Sequence, residues 1–438
     1  MSPFLRLTFS LLRGAVALAI TAATTVAAHA QTPALTLKEA VGIAAQRSAS
    51  AAAADAQERA AAEMAVAAGE LPDPVLKLGI NNVPTSGADQ WSTTRDFMTM
   101  RSVGLMQEWT GRDKRDARTE RAQRDIQLAG AMGVMARTTA QREAAVAWIE
   151  RYYLEAMREA LGREAIEVER QAEAAQVLYR GGRGMQSDVF AMRAEVARLE
   201  DRRDDLKRRI ATAKVRLARW VGPDAARPLA PMRSLDDPGL QDSALIERLR
   251  EHPKLDVYAR REEVADAEVR LARLNKRPDW TVELMYGQRG QDYSDMVSVN
   301  VAIPLQWNSR DRQDRELAAK LAMLDEARAQ RLEAERAHVA EVQSLMDAWE
   351  SGQARLVRYR ESIRPLDAQR IQAALAAFRS GQGSLGQLME ARRAAVQTEL
   401  EQLELERDTA TSWAQLRYLN LDGSARGALS DTHIEAQQ

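Results

Sequence analysis

Alternating apolar and polar positions predict β-strands in two regions of this chain. In the stretch "MVSVNVAIPLQW", from Met296 to Trp307, every second residue is apolar and most of the residues between them are small or polar. A period of two residues over this length is typical of a strand with one apolar face. The members of that face are Val297, Val299, Val301, Ile303, Leu305 and Trp307.

Three further segments have the same character, so we expect four strands. They are "WTVELMYG" from Trp280, "PVLKLGI" from Pro74 and "FMTMRSVGLMQEW" from Phe97. Strands of about ten residues, apolar on one face and edged by Trp and Tyr, have the length of transmembrane β-barrel strands. Four strands cannot close a barrel, and an open edge is not stable in lipid, so several chains would have to contribute to one barrel. A small soluble sheet that caps a helical bundle is the alternative.

The rest of the chain has the periodicity of helices. The first helix of each half is predicted over Leu37–Gly69 and Ser243–Lys276, before Pro72 and Pro278. Farther along the first half, apolar residues recur at alternating steps of three and four, which is the seam of a helix that packs against another helix. The seam comprises Val189, Met192, Val196, Leu199, Leu206, Ile210, Leu217 and Trp220, and Arg203 and Ala213 complete the series.

Three landmarks occur twice in the same order, which indicates a tandem duplication. The stretch "PDPVLKLGI" at Pro72 has its counterpart "PDWTVELMY" 206 positions later. The stretch "WTGRDKRD" at Trp109 matches "WNSRDRQD" at an offset of 198, and a glycine-rich break recurs at an offset of 199. Each half therefore reads as helix, two strands, long helix, break and long helix.

The two breaks are "YRGGRGMQSDV" from Tyr179 and "FRSGQGSLGQL" from Phe378. A phosphate-binding P-loop is excluded, because no strand precedes the glycines and no Lys-Ser/Thr follows them. The pattern favours a helical-hairpin turn in which Gly adopts a positive φ and Ser187 or Asp188 caps the next helix. In each half, 70 or 71 residues separate the break from the preceding Trp. A helix that fills this spacing would be about 105 Å long.

Composition and charge narrow the function. Charged residues make up 29% of the chain and aromatic residues 5%, which is the profile of long helices. The formal net charge of −1 provides no basic field, so we expect no nucleic-acid partner. The chain has no cysteine, which excludes disulfides, thiolate metal sites and a lipidated N-terminal cysteine.

The N-terminus has the features of a secretory signal peptide, which we assign to residues 1–30. Arg6 and Arg13 precede an apolar run, and Ala28-His29-Ala30 forms a cleavage site. Beyond it no stretch approaches eighteen apolar residues, so we predict no transmembrane helix. Residues 423–438 form a polar tail that we expect to be disordered.

Candidate chemistry is sparse. His252, His338 and His433 are far apart in sequence and lack metal-ligand spacing, so we predict neither an enzyme, a cofactor nor a metal site. Charge runs such as "EDRRDDLKRR" are typical of solvated helix faces. Three methionines, Met98, Met100 and Met106, occur around one predicted strand, and thioethers bind Cu(I), although packing is the simpler interpretation.

The order and spacing of these features resemble the TolC-like outer membrane factors over about Leu35 to Gly423. The resemblance rests on the signal peptide, the opening helix "LTLKEAVGIAAQRS", the strand "SVNVAIPLQW" and the two breaks. The resemblance implies a mainly α chain with a small transmembrane β part and duplicated helical hairpins. It also implies a homotrimer in which four strands per chain complete a twelve-stranded barrel in outer-membrane lipid. The helices of the three chains would form a periplasmic tunnel. We expect residues 31–230 and 231–422 to be the two structural repeats.

The same resemblance implies partners and site residues. The chain would be the exit duct of a tripartite efflux pump, joined to a periplasmic adaptor (membrane fusion protein) and an inner-membrane RND-type transporter. The implied adaptor contacts at the tips are Tyr179, Arg180, Gly182, Asp188, Phe378, Arg379, Gly381 and Ser384. Gln387 and Glu390 occupy positions that ring the closed aperture in the family, but Gln387 is an amide where relatives have an acid.

The passage "FMTMRSVGLMQEW...GRDKR" resembles the branch of the family that is paired with heavy-metal exporters, which favours metal cations as cargo. Two other functions remain open at this point. One is an exit duct for type I protein secretion, and the other is a periplasmic coiled-coil adaptor or structural protein.

Overall fold

The structure is a computed structural model that describes residues 33–232 and 252–419. The predicted signal peptide and polar tail lie outside these residues. The described chain is mostly helical and contains one four-stranded sheet. The first half contains α1 Leu37–Arg47, α2 Ala49–Ala68, β1 Val75–Asn81, β2 Met100–Trp109, α3 Arg112–Arg180, α4 Gln186–Val221 and a 3₁₀ turn at Gly222–Ala226. The second contains α5 Pro253–Leu274, β3 Trp280–Gln288, β4 Met296–Ala302, α6 Gln313–Arg358, a π turn at Tyr359–Ile363, α7 Arg364–Arg379 and α8 Leu385–Arg417.

The four predicted strands form one antiparallel sheet in the order β1-β2-β3-β4. The central pairing joins the two halves of the chain, with Leu105 of β2 opposite Leu284 of β3. Two predicted boundaries were wrong. β2 begins at Met100 rather than Phe97, and β4 ends at Ala302 rather than Trp307. Pro304 accounts for the second difference, because proline has no N–H to donate to a ladder.

The two faces of the sheet differ as the alternation predicted. On β4 the side chains of Val297, Val299 and Val301 are 68%, 65% and 58% exposed in the single chain. Their neighbours on β2 and β3 are also apolar and exposed, including Leu105 and Leu284. A contiguous apolar face of this kind marks a surface that another molecule or a membrane covers.

The predicted first helix is two helices, because the chain bends at Ser48. Ser48 is extended, with φ −63° and ψ 105°, and its hydroxyl accepts a hydrogen bond from Ala51 N at 3.2 Å. The prediction of one continuous helix over Leu37–Gly69 was therefore wrong at Ser48. In the second half, the described helix begins at Pro253, and the predicted start at Ser243 lies outside the described residues.

The first long hairpin consists of α3 and α4. Helix α3 has 69 residues and spans about 104 Å at 1.5 Å per residue, in agreement with the predicted length. The predicted seam is confirmed. Its buried members are Val189, Met192, Leu199, Leu206, Ile210, Ala213 and Leu217, which face the apolar side chains of α3, whereas Arg203 is exposed.

The second long hairpin consists of α6 and α7, followed by α8. It differs from the first because a π turn separates α6 from α7. The N–H of Arg364 donates to the carbonyl of Tyr359, five residues back. Pro365 follows directly and has no N–H with which to continue the α-helical ladder. A π turn next to a proline absorbs this missing bond without ending the helix.

The main core lies where α1, α3, α4 and α8 meet. Trp148 is 1% exposed, and its indole N–H donates to the carbonyl of Leu35 at 3.0 Å. Leu35 also forms a parallel bridge with Leu229, so both ends of the first half are joined at this core. Among the described helices, none is both long and apolar enough to cross a bilayer.

Candidate functional site

Both glycine-rich breaks fold as tight turns at the ends of the hairpins. In the first turn Gly182 has φ +68°, and its N–H donates to the carbonyl of Tyr179. In the second turn Gly381 has φ +74°, and its N–H donates to the carbonyl of Phe378. A positive φ is strained for residues with a Cβ, so the two turns require glycine here.

The last glycine of each break has a different role. A Cβ at Gly184 would lie 3.1 Å from both Leu178 Cβ and Tyr179 N, and one at Gly383 would lie 2.9 Å from Ala377 Cβ. The returning chain therefore passes too close to the preceding helix for a side chain. The shared pattern of aromatic, Arg, x, Gly, x, Gly thus specifies a turn conformation and a close approach, 199 positions apart.

The helix after each turn begins with a side-chain cap, which is reciprocal at the second tip. At the second tip, Ser384 Oγ accepts from Gln387 N at 3.2 Å, and Gln387 Oε1 accepts from Ser384 N at 3.0 Å. At the first tip, the N-cap is Met185, and the carboxylate of Asp188 accepts from Met185 N at 3.4 Å. The prediction that Ser187 or Asp188 caps this helix is confirmed for Asp188, which acts from the third helical position while Met185 is the N-cap residue.

The predicted tip residues present side chains to solvent. Tyr179 is 44% exposed, Arg180 and Arg379 are exposed, and Phe378 is half-buried. Neither arginine has an ion-pair partner within the part of the chain that the structure describes. The tips therefore offer an aromatic ring beside an unpaired cation, which is a combination that proteins use in contacts with partners.

The two predicted aperture residues have different surroundings. The Gln387 side chain is held in the cap of α8, whereas Glu390 is 71% exposed and accepts from Arg370 Nη2 at 3.1 Å. Because Arg370 lies on α7, this ion pair joins the two helices of the second hairpin. Glu390 therefore remains available to solvent at the tip.

A group of ion pairs between the two hairpins was not predicted from the sequence. Arg163 of α3 lies 2.8 Å from Glu399 of α8, and Arg393 lies 3.0 Å from Glu195. Arg392 of α8 also pairs with Glu167 of α3. Their charges resembled solvated helix faces in the sequence, and only the packing of α8 against the first hairpin brings them together.

Glu164 lies beside these ion pairs and is half-buried. Burial raises its pKa above the usual range, and the nearby Arg392 opposes that rise while Glu195 adds to it. Contacts between the hairpins near their tips therefore include a carboxyl group whose charge is costly to bury.

Two of the histidines singled out in the sequence lie together in the structure. His252 and His338 are distant in sequence, but their rings lie 4.3 Å apart between the N-terminus of α5 and α6, and both are buried. His252 Nδ1 accepts from Lys254 N and caps α5. Neither nitrogen of His338 has a hydrogen-bond partner among the described residues, and Glu341 Oε2 lies 3.9 Å from its Nδ1.

Metal-binding chemistry of the usual kind is missing from the part of the chain that the structure describes. No group of three His, Cys, Asp or Glu side chains there could hold a metal ion. The three methionines singled out in the sequence do not form one cluster. Met98 precedes β2, while Met100 and Met106 lie six residues apart on it.

Comparison with known proteins finds a family that matches the second half of the chain. Residues 245–420 match the outer membrane efflux protein family, and the match covers α5 to α8 with the strands between them. Residues 245–420 therefore have the sequence of an outer membrane efflux protein. The first half repeats the order of elements found in the matching segment, so the same architecture occurs twice in the chain. Members of this family are passive ducts and not enzymes.

Solved structures share this fold. The outer membrane protein VceC of Vibrio cholerae aligns with a TM-score of 0.71 at 20% identity, covering 87% of this chain and 95% of that one. CusC, studied for folding and transmembrane channel formation, aligns at 0.75 and 13% identity, covering 87% and 91%. The Campylobacter jejuni outer membrane channel CmeC aligns at 0.74 and 11%, covering 90% and 88%. No protein of curated function matches the sequence.

Proposed function

We propose that this protein is the exit duct of a tripartite efflux system, with its sheet in the outer membrane and its helices in the periplasm. One observation carries the proposal. A sheet with an exposed apolar face stands on hairpins about 100 Å long, and their tips point away from it. An apolar sheet suits lipid, and a long helical support suits a duct that reaches toward a partner.

The edges of the sheet support assembly into a homotrimer. β1 and β4 are the outer strands, and each has seven residues. An edge with unpaired N–H and C=O groups cannot face hydrocarbon, so β4 of one chain would pair with β1 of the next. Three chains with four strands each would close a twelve-stranded barrel.

The tips are the proposed docking sites for a periplasmic adaptor, which would connect the duct to an inner-membrane RND-type transporter. The proposed contacts at the first tip are Tyr179, Arg180, Gly182 and Asp188. Those at the second are Phe378, Arg379, Gly381 and Ser384. Their support is the solvent exposure of Tyr179 and of both unpaired arginines. Glu390, and with less freedom Gln387, would line the aperture between the second tips.

Heavy-metal cations are the proposed cargo. The support is the likeness of the passage from Phe97 to Arg115 to the metal-exporting branch of the family. Export of a protein by a type I system would use the same kind of duct and differ in its pump. Neighbouring genes for a cation pump or for a peptide-exporting ATPase separate these two cases.

The duct is tested by recording single channels in planar bilayers from the purified protein that starts at Gln31. We expect discrete conductance steps from a particle with the mass of a trimer. A folded monomer that stays silent in the bilayer would overturn the proposal.

Two adjacent residues of β4 provide a matched pair of variants. Val299 lies on the apolar face and Ser298 on the opposite face. We expect Val299→Lys to abolish the trimer, since a lysine facing lipid costs about 2–4 kcal/mol at the midplane, while Ser298→Lys assembles and changes ion selectivity. Equal assembly of both variants would contradict the assignment of the faces.

A further inference from the structure

Four methionines lie on the face of the sheet that is opposite to the apolar face. Side chains alternate along a strand, and register joins Gly104, Met285 and Ser298 in one row of that face. By the same alternation Met100 and Met106 of β2 and Met296 of β4 belong to it. In the proposed duct this face lines the water-filled lumen.

Three of these methionines surround Gly287 of β3. The sulfur of Met100 lies 3.2 Å from the position that a Cβ on Gly287 would occupy, so this side chain extends across the glycine. Met296 is the register partner of Gly287 on β4. Met285 is two residues away on the same strand and face. Adjacent strands are about 4.8 Å apart, so Met100 and Met296 border the space above a bare glycine from either side.

Packing does not explain these thioethers. The other residues on this face are mainly polar or small, and Val75 opposite Met106 is the apolar exception. The polar and small members are Lys77, Gly79, Asn81, Ser102, Gly104, Glu108, Thr281, Glu283, Ser298, Asn300 and Ala302. Lys77 and Glu283 form an ion pair at 3.1 Å across the face. Met296 is 46% exposed. A water-facing strip gains little from an apolar side chain, whereas thioether sulfur is a ligand for soft monovalent cations.

We propose that Met100, Met285 and Met296 form a thioether site for Cu(I) or Ag(I) on the inner face of the sheet. The site lies at the end of the strands that is farther from the helices, because β2 and β4 begin there. Its position inside a duct rests on the proposed function, but its ligands do not. Neutral thioether ligands bind soft cations and not hard ones, so the site distinguishes cargo by softness.

The test measures Ag(I) binding to the full, detergent-solubilised protein in chloride-free nitrate buffer, by equilibrium dialysis and X-ray absorption. We expect one tight Ag(I) per chain with silver–sulfur scattering. Each single Met→Leu change at positions 100, 285 and 296 should weaken binding about tenfold or more, and the triple change should remove the site. Leucine preserves the volume of methionine, so the sheet should still fold.

The matched control is Met64→Leu, since Met64 is 69% exposed and lies on α2, outside the sheet. It should bind Ag(I) like the unchanged protein, and Zn²⁺ should not compete for the site. Equal Ag(I) binding by the triple variant and the unchanged protein would overturn the inference.

Potassium conductance in bilayers keeps this test separate from that of the duct. A protein that conducts K⁺ but binds no Ag(I) through these methionines would refute the site and leave the duct intact. A protein that binds Ag(I) through them but never conducts would refute the duct and leave the site intact.

Discussion

The rings of His252 and His338 lie with their centroids 4.3 Å apart and their planes tilted by 34°. Burial, together with His338, Arg142 and Lys254, lowers the pKa of His252 to about 3. Burial also lowers the pKa of His338, although the nearby Glu341 opposes this. The folded protein therefore holds two neutral imidazoles between helices that carry cations.

This pair of buried, neutral histidines predicts a loss of stability in mild acid. Unfolded His252 binds a proton below its ordinary pKa of 6.5, whereas the folded protein does not until about pH 3, so stability falls as the pH drops through that window. The measurement is the thermal midpoint at about pH 7.5 and about pH 5, on either side of that ordinary pKa. His252→Asn retains a capping acceptor for Lys254 N and should lose less stability on acidification. Equal losses in the variant and the unchanged protein would show that His252 does not cause the acid sensitivity.

Close packing of α6 against α8 predicts a steric effect at Gly352. A Cβ there would lie 2.2 Å from Thr409 Oγ1, so Gly352→Ala should reduce the free energy of unfolding by about 1–3 kcal/mol. Thr409→Ala in the same chain should restore part of this loss. The control is Gly162→Ala on α3, where nothing lies within 4 Å and a gain of up to about 1 kcal/mol is expected. Equal effects at both positions would rule out the clash.

A buried ion pair joins the first turn of α3 to the segment before β3. Lys114 Nζ lies 2.9 Å from both oxygens of Asp279 and from the carbonyl of Arg277, and its side chain is 8% exposed. Lys114→Met leaves Asp279 without its counter-charge, and we expect a loss of about 3 kcal/mol. The control is Arg208→Met, which breaks an exposed pair with Asp205 and should cost less than about 0.5 kcal/mol.

Chemical denaturation in detergent measures both losses. If Lys114→Met costs no more than Arg208→Met, the pair with Asp279 does not fasten the sheet to the helices.

Glu390 should separate stability from conduction. Its pair with Arg370 is exposed, so Glu390→Gln should change the free energy of unfolding by less than about 1 kcal/mol. If it lines the aperture, the same change should lower the preference for cations, read as a smaller reversal potential in a KCl gradient. Glu404→Gln removes the same charge from an exposed position farther along α8 and should leave the reversal potential unchanged. Identical potentials for all three proteins would remove Glu390 from the aperture.

The sequence predicted the elements whose cause is local. Period-two alternation located the strands, the seam from Val189 onward located the packed face of α4, and the glycines at 182 and 381 located the turns. Each feature follows from neighbours within one turn or one strand. The break at Ser48 has an equally local signal, a serine whose hydroxyl caps the next helix, but the Ala-rich sequence around it resembles a continuous helix.

Features made by packing were not predicted. The contact of His252 with His338, and the pairs of Arg163 and Arg393 across the hairpins, join residues tens to hundreds of positions apart. The arrangement of thioethers at Gly287 also needed the register of three strands, because sequence proximity had grouped Met100 with Met98 and Met106.

The π turn before Pro365 has a consequence for symmetry. Duplication provides two hairpins of similar length, and in the described chain only the second has this interruption. A closed ring of three chains would therefore alternate smooth and interrupted hairpins, so its six columns are mechanically of two kinds. In such a ring the first hairpin of each chain would form an uninterrupted column, and the second would contain the π turn at which a kink is expected.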